Sequence, residues 1–245
     1  MFAIDHATTA PLIKRRFPSV PMVPILVSVQ VMELAWVIFN YLGVEKTTTE
    51  STVRSVADIH LAYMPYSHSV GTAVVAALAA WLIIKTSFHR VALGGAVGLG
   101  IMSHLILDLL THGHDIVLWP GLPSPKLGLG LFEATPFVAF IVEFAYGIFC
   151  WRVYRGSRNL LALIGFANLA NLSLLSPAIP GPECYLAGRP LLVVTVVFAQ
   201  IVVTLIGVGV LARQTSNRLP GGLMSSGKSD SALCKHKRAP FRSTF

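Results

Sequence analysis

Residues 91–111 read Val-Ala-Leu-Gly-Gly-Ala-Val-Gly-Leu-Gly-Ile-Met-Ser-His-Leu-Ile-Leu-Asp-Leu-Leu-Thr. Crossing a hydrocarbon core of roughly 30 Å at about 1.5 Å per residue takes about 20 residues. This stretch has that length, and its only polar side chains are Ser103, His104, Asp108 and Thr111. It predicts a membrane-crossing α-helix. Working outward, apolar stretches near 22–42, 66–84, 132–151, 160–179 and 190–211 pass the same test. The expected fold class is all-α, a polytopic bundle of about six transmembrane helices.

The composition points the same way. Of 245 residues, 54% are hydrophobic and 12% charged, with a mean hydropathy of +0.68, whereas a soluble domain carries about 25% charge. The chain is too apolar to be disordered. Its three cysteines are too few for a disulfide-stapled module. The net charge of +8 is spread in short clusters between apolar runs, so it reads as a topology signal, and no nucleic-acid partner is expected. All but four (Lys46, Arg54, Lys126 and Arg189) of the 19 Lys and Arg fall on one side of the spans. That side is the cytoplasm, which places both termini inside and the loops 43–65, 111–131 and 180–189 outside. The expected location is a bacterial inner membrane, with the bilayer itself as the first partner.

Three regions follow. Residues 1–21 are too short to span and carry Pro11 and the basic cluster Lys14-Arg15-Arg16, so they predict an interfacial or half-inserted segment. The cluster follows the apolar stretch instead of preceding it, which argues against a cleavable signal peptide. Residues 22–212 form the transmembrane bundle. Residues 213–245, rich in Ser, Gly, Lys and Arg, read as a disordered basic cytoplasmic tail suited to anionic headgroups.

The chemistry lies in the His and Asp residues. His60, His68, His104, His112 and His114 fall in or beside the outward half, together with Asp58, Asp108 and Asp115. His104, Asp108 and His112 are spaced i, i+4, i+8 and share one helix face. Burying a carboxylate there costs about 2–4 kcal/mol and calls for a partner inside the bundle. Imidazole with carboxylate is the donor set of zinc, iron and manganese sites, and an open coordination position activates water. A lone intramembrane His is more often a hydrogen-bonding group between helices, the reading that also suits Asn168, Asn171 and Gln200. For His104 with Asp108, opposite His68 and beside Asp58-Ile59-His60, a divalent metal (zinc, manganese or iron) is the better reading. His112, His114 and Asp115 sit in the next loop, where a wet surface position is cheap.

Glu33 and Glu143 fall near the middle of their spans, either as protonated groups bonded to a neighbouring helix or as a proton relay. Glu133, near the outer entrance of the fourth span, is the candidate catalytic base or a partner of the metal ligands. The Pro- and Gly-rich loop 118–130 is either a lid or a compact connection at the interface. Gly94, Gly95, Gly98 and Gly100 predict close helix packing. No phosphate-binding loop, CxxC motif or Gly-x-Ser-x-Gly elbow is present.

Asp5-His6, Ala57-Asp58-Ile59-His60, Tyr66-Ser67-His68-Ser69 and the run from Ser103 to Thr111, followed by Leu118-Trp119-Pro120, together resemble the bacterial inner-membrane family called membrane-bound metal-dependent hydrolases. The resemblance covers roughly residues 1–125. The family pattern is a His near the start, Pro-Asp-x-Asp-His, Thr-His-Ser opening a helix and Ser-His-x-x-x-Asp-x-x-Thr ending another. The resemblance implies His6, Asp58, His68, His104 and Asp108 as metal-site residues. His60 stands where the family has its second Asp, a position that still permits coordination. Tyr63-Met64-Pro65-Tyr66 replaces a His-Arg-Gly-Phe run, which removes an Arg able to clamp a phosphate. A helix over residues 5–14 reaches about 15 Å from the basic cluster, which brings His6 to mid-membrane depth beneath His104 and no further.

The function expected on this reading is hydrolysis by a metal-activated water of an ester, amide or phosphoester, on a lipid or a periplasmic small molecule. Two alternatives stand beside it. One is an ion- or proton-coupled transporter using His104, Asp108 and the mid-span glutamates, and the other is a non-enzymatic membrane protein.

Overall fold

The computed structural model describes residues 1–216 apart from 124 and 177, so the reading of a disordered tail falls, beyond residue 216, outside the described residues. In chain order the helices are α1 (Ala3–Arg16), α2 (Met22–Ser28), α3 (Val31–Tyr41), α4 (Val70–Ser87), α5 (Val91–Thr111), α6 (Leu131–Ala134), α7 (Pro136–Tyr154), α8 (Arg158–Ala170) and α9 (Pro190–Ser216). The protein is mostly helical. The connection between α3 and α4 departs from an all-α fold: β1 (Lys46–Thr49) pairs antiparallel with β2 (Ile59–Tyr63), with Thr48 opposite His60. Three consecutive β-branched threonines favour the extended backbone there.

Helices α4, α5, α7 and α9 are each long and apolar enough to cross a membrane, and α2 with α3, bent by 51° at their junction, pass that test as one broken span. The stretch expected at 160–179 is only partly helical. Its helix, α8, has 13 residues and ends at Ala170, well short of the roughly 20 needed to span. Asn168 and Asn171 turn their amides back onto the carbonyls of Ile164 (3.1 Å) and Ala167 (2.9 Å). The chain then continues through 3-10 turns at Ser173–Leu175 and Pro182–Leu186, and Pro180 and Pro182 keep the helix from resuming.

The break between α2 and α3 has a local cause. Ser28 bonds its hydroxyl to the Ile25 carbonyl (2.8 Å), an arrangement that bends helices. The Val29 carbonyl accepts from His104 Nδ1 (2.8 Å), and a side chain inserted on a helical carbonyl is a recognised source of kinks. Gln30 donates to the Ala3 carbonyl (2.6 Å), tying the junction to α1.

Helix α1 is enclosed. Residues 3–11 and Ile13 are all buried, and the helix packs on α2, α5, α7, α8 and α9. One apolar cluster, including Ile4, Ala7, Ala10, Ile13, Val20, Met22, Ile25, Leu160 and Ala212, fills one half of the bundle. A second, including Met32, Trp36, Ala73, Ile101, Leu105, Ile116, Val194 and Ile201, fills the other. Glycines on α5 admit the closest approaches, as their spacing predicts. A Cβ at Gly98 would lie 3.3 Å from the Ala77 carbonyl on α4, and one at Gly100 would lie 2.0 Å from Ser28 Oγ.

The two ends of the bundle differ. At one, Arg15 donates to the Val153 carbonyl and the Tyr154 hydroxyl to the Ala212 carbonyl (3.1 Å). At the other, the Gly188 amide donates to Thr49 Oγ1 (2.8 Å), joining the start of α9 to the hairpin.

Candidate metal centre

The site forms where α1, the broken helix and α5 converge under the residues that precede α4. From α5 come His104 and Asp108, one turn apart and each 1% exposed, with Nε2 3.0 Å from Oδ2. Glu33 comes from the first turn of α3, which the break directs toward α5. His68 comes from the segment leading into α4, whose cap Ser69 accepts from the Thr72 amide (3.1 Å). Glu33, His68, His104 and Asp108 each offer a ligand atom, and these atoms all lie within 4.8 Å of one another. His68 Nε2 stands 3.2 Å from Glu33 Oε2 and 3.5 Å from Asp108 Oδ2, and His104 Nε2 stands 3.5 Å from Glu33 Oε2. Four donors around one ion at about 2.1 Å are about 3.4 Å apart, and these contacts already have that spacing.

The outer nitrogens of both imidazoles are occupied. His104 Nδ1 donates to the Val29 carbonyl, which cannot donate in return. His68 Nδ1 lies 2.8 Å from Ser67 Oγ, and that hydroxyl gives its proton to Glu45 Oε2 at 2.5 Å. The serine oxygen can then only accept from His68. Glu45, 2% exposed, also accepts from the amides of Tyr66 and Ser67, both at 2.8 Å. With a proton held on Nδ1, a neutral imidazole presents a lone pair at Nε2 and a protonated one donates from it, and His68 Nε2 lies in hydrogen-bond contact with Glu33 Oε2 at 3.2 Å. His104 Nε2 and Asp108 Oδ2, both fully buried, have no hydrogen-bond partner among the described residues. Where the imidazoles are neutral, acceptor faces acceptor, an arrangement that a cation between them would resolve. Glu33 and Asp108 bring two carboxylates to the cluster, and the Met1 ammonium stands 2.8 Å from Asp108 Oδ1.

Other groups surround this core. His6 Nε2 is 3.1 Å from Asp108 Oδ1, and its ring stacks on His104 with centroids 3.9 Å apart, so α1 does bring His6 up against His104. The Met1 amino nitrogen is 2.8 Å from both Asp108 Oδ1 and Thr111 Oγ1. His112 Nε2 lies 3.6 Å from Asp108 Oδ1 and its Nδ1 lies 3.5 Å from Asp115 Oδ2. Glu133 packs on Gly113, where a Cβ would come within 2.2 Å of Oε1, and it lines one cavity with Glu33, His112 and Asp115.

Two expected ligands are placed elsewhere. Asp58 accepts from the amides of Arg54 (2.7 Å) and Ser55 (3.0 Å), which commits its carboxylate to capping the 3-10 turn Val56–Asp58. His60, on β2 and 47% exposed, pairs with Glu50 at 2.8 Å. The structure assembles His6, His68, His104 and Asp108 from the expected set and adds Glu33 and Glu45. Glu33 was legible only as a mid-span carboxylate. Glu45 gave no signal, because a Glu beside Lys46 in an outer connection looks like solvated surface.

Below the cluster, Asp5 and Glu143 are both 0% exposed. Asn168 Nδ2 reaches Asp5 Oδ1 at 3.5 Å, and Thr9 Oγ1 bonds the Tyr146 hydroxyl at 2.8 Å. Polar groups therefore continue one to two turns down α1 before the apolar cluster around Ala10 and Ile13 closes the path. No protein-family model, no curated protein and no solved structure matches the chain.

Proposed function

We propose that this chain is a membrane-embedded metal-dependent hydrolase of a bacterial inner membrane, akin to the membrane-bound metal-dependent hydrolases its motifs resemble. The observation that carries the reading is the pair of Nδ1-anchored imidazoles whose Nε2 atoms face two buried carboxylates. Glu33, His68, His104 and Asp108 would hold zinc, manganese or iron, with His6 and His112 as the nearest further nitrogens. Bound there, the ion would supply Lewis acidity and lower the pKa of a coordinated water. Glu133 and Asp115 lie on the cavity side of the cluster, where a base for that water belongs.

The same proposal places the basic end of α1 and the end of α9 on the cytoplasmic side, with Met1 drawn up into the bundle against Asp108, and counts six crossings, one made by the broken pair and one by α8 with the turns that follow it. Support comes from the bundle end where α1, α7 and α9 finish, which gathers Lys14, Arg15, Arg16, Arg152 and Arg213. The apolar closure beneath Thr9 and Tyr146 favours hydrolysis over transport, since a transport path needs polar lining through to the other face.

Elemental analysis of the detergent-purified protein tests the reading. One equivalent of a transition metal is expected, and it should be lost in His104→Ala and in Asp108→Asn while both variants still insert. Protonated imidazoles paired with the carboxylates would satisfy the same contacts without metal. A metal-free parent whose variants are merely less thermostable would overturn the proposal.

A further inference from the structure

Below the metal cluster, polar side chains from three helices meet: Asp5 on α1, Glu143 on α7 and Asn168 on α8, with exposures of 0%, 0% and 1%. Asn168 Nδ2 stands 3.5 Å from Asp5 Oδ1. A Cβ at Gly147 would lie 3.1 Å from the same oxygen, so α7 offers a glycine where the Asp5 carboxyl presses on it. Glu143, one turn earlier on that face of α7, interacts directly with Asp5. Under the group, Thr9 Oγ1 donates to the Asp5 carbonyl (3.1 Å) and bonds the Tyr146 hydroxyl (2.8 Å).

This group is short of donors. Asp5 Oδ2, both carboxyl oxygens of Glu143 and Asn168 Oδ1 are buried without a hydrogen-bond partner among the described residues. Unsatisfied buried oxygens are costly, and carboxylates inside a membrane call for a counter-charge. A single proton shared by Asp5 and Glu143 engages one oxygen of each, which leaves the other Glu143 oxygen and Asn168 Oδ1 bare. A cation engages all four. The four are carboxylate and carboxamide oxygens, the donors that hard ions prefer. Calcium takes about six to eight oxygens and magnesium keeps several of its waters, so four enclosed oxygens suit a small monovalent ion.

We infer that Asp5, Glu143 and Asn168 hold one sodium ion, which ties α1 to α7 and α8. The apolar cluster around Ala10 and Ile13 closes the way toward the basic end, so the ion is a fixed counter-ion and not a transported one. None of the three residues belongs to the set Glu33, His68, His104 and Asp108, and the sodium site stands whether or not the chain is a hydrolase. Because α1 also carries His6, the ion steadies the helix that brings His6 to Asp108.

Two measurements on the full chain in detergent, with a chelator present to keep transition metals away, test it. Melting is followed in sodium, potassium or choline chloride at one ionic strength. Sodium is expected to raise the melting temperature to a plateau, and potassium to raise it less at equal concentration. Equilibrium dialysis against radioactive sodium is expected to find one ion per chain. Asp5→Asn, Glu143→Gln and Asn168→Leu should each weaken the apparent sodium affinity at least about tenfold. Equal melting in the three salts, no sodium bound by the parent, or a sodium response that Asp5→Asn and Glu143→Gln both retain would overturn the inference. So would a sodium-insensitive parent that Asp5→Asn or Glu143→Gln stabilises, the mark of a pair held protonated. Dialysis of the parent decides the matter even where a variant fails to fold.

Discussion

Replacing Glu45 by Gln should weaken metal binding although Glu45 touches no proposed ligand atom other than through Ser67. In the parent, Oε1 accepts from the Tyr66 and Ser67 amides and Oε2 accepts the Ser67 hydroxyl proton, which turns the serine oxygen toward His68 Nδ1–H. A glutamine keeps Oε1 for the two amides and presents an NH2 where Oε2 stood. The Ser67 oxygen must then accept from that NH2, and its proton goes to His68 Nδ1. His68 becomes the Nε2–H tautomer and has no lone pair for an ion. Loss of such an outer partner typically costs 10–100-fold in affinity, about 1.4–2.7 kcal/mol. The two retained amide bonds limit the loss of metal-free stability to about 1–2 kcal/mol. Competition with a chromogenic chelator measures the affinity, and melting in excess chelator measures the metal-free stability. Unchanged metal affinity in a folded Glu45→Gln protein would refute the tautomer argument. Ser67→Ala, which leaves His68 Nδ1 without its acceptor, should weaken binding in the same direction.

Three further outcomes are expected. Gly100→Val sets a side chain where even a Cβ would lie 2.0 Å from Ser28 Oγ; separating α2 from α5 should cost about 1–3 kcal/mol and also move the Val29 carbonyl off His104, so melting temperature and metal affinity should fall together. Asp58→Ala should remove about 1 kcal/mol of capping energy with metal content unchanged, and His60→Ala should leave metal content unchanged as well, both checked by elemental analysis. Adding zinc to the metal-free protein at 100 times its Kd should stabilise it by about 2.7 kcal/mol, read as an upward shift in melting, reversed by chelator and absent in Asp108→Asn.

The span around His104 and Asp108 was legible because length, hydropathy and i, i+4 spacing are all local properties. What escaped was set by contacts distant in sequence. Counting along a straight helix put Glu33 at mid-membrane, since neither Pro nor Gly marks the junction of α2 and α3. The junction opens because an imidazole seventy-five residues away takes the Val29 carbonyl. Residues 160–179 pass an apolarity test, yet Asn168 and Asn171 turn their amides into their own helix and end it. Asp58 and His60 were drawn toward the site by a motif that places them beside one another in sequence. Their side chains serve a 3-10 turn and a strand pair instead. His6 could be placed from helix rise alone because α1 is short and anchored by its basic end.

The enclosure of α1 governs the order in which the protein can be assembled. Residues 3–16 are too short and too polar to enter a bilayer unaided, and the socket that receives them is built partly from α7, α8 and α9, which leave the ribosome last. The segment must therefore wait at the membrane surface while the later spans insert. The four donors Glu33, His68, His104 and Asp108 all precede α7 and belong to the earlier part of the chain, whereas the contact of His6 with Asp108 depends on a socket that the last helices complete.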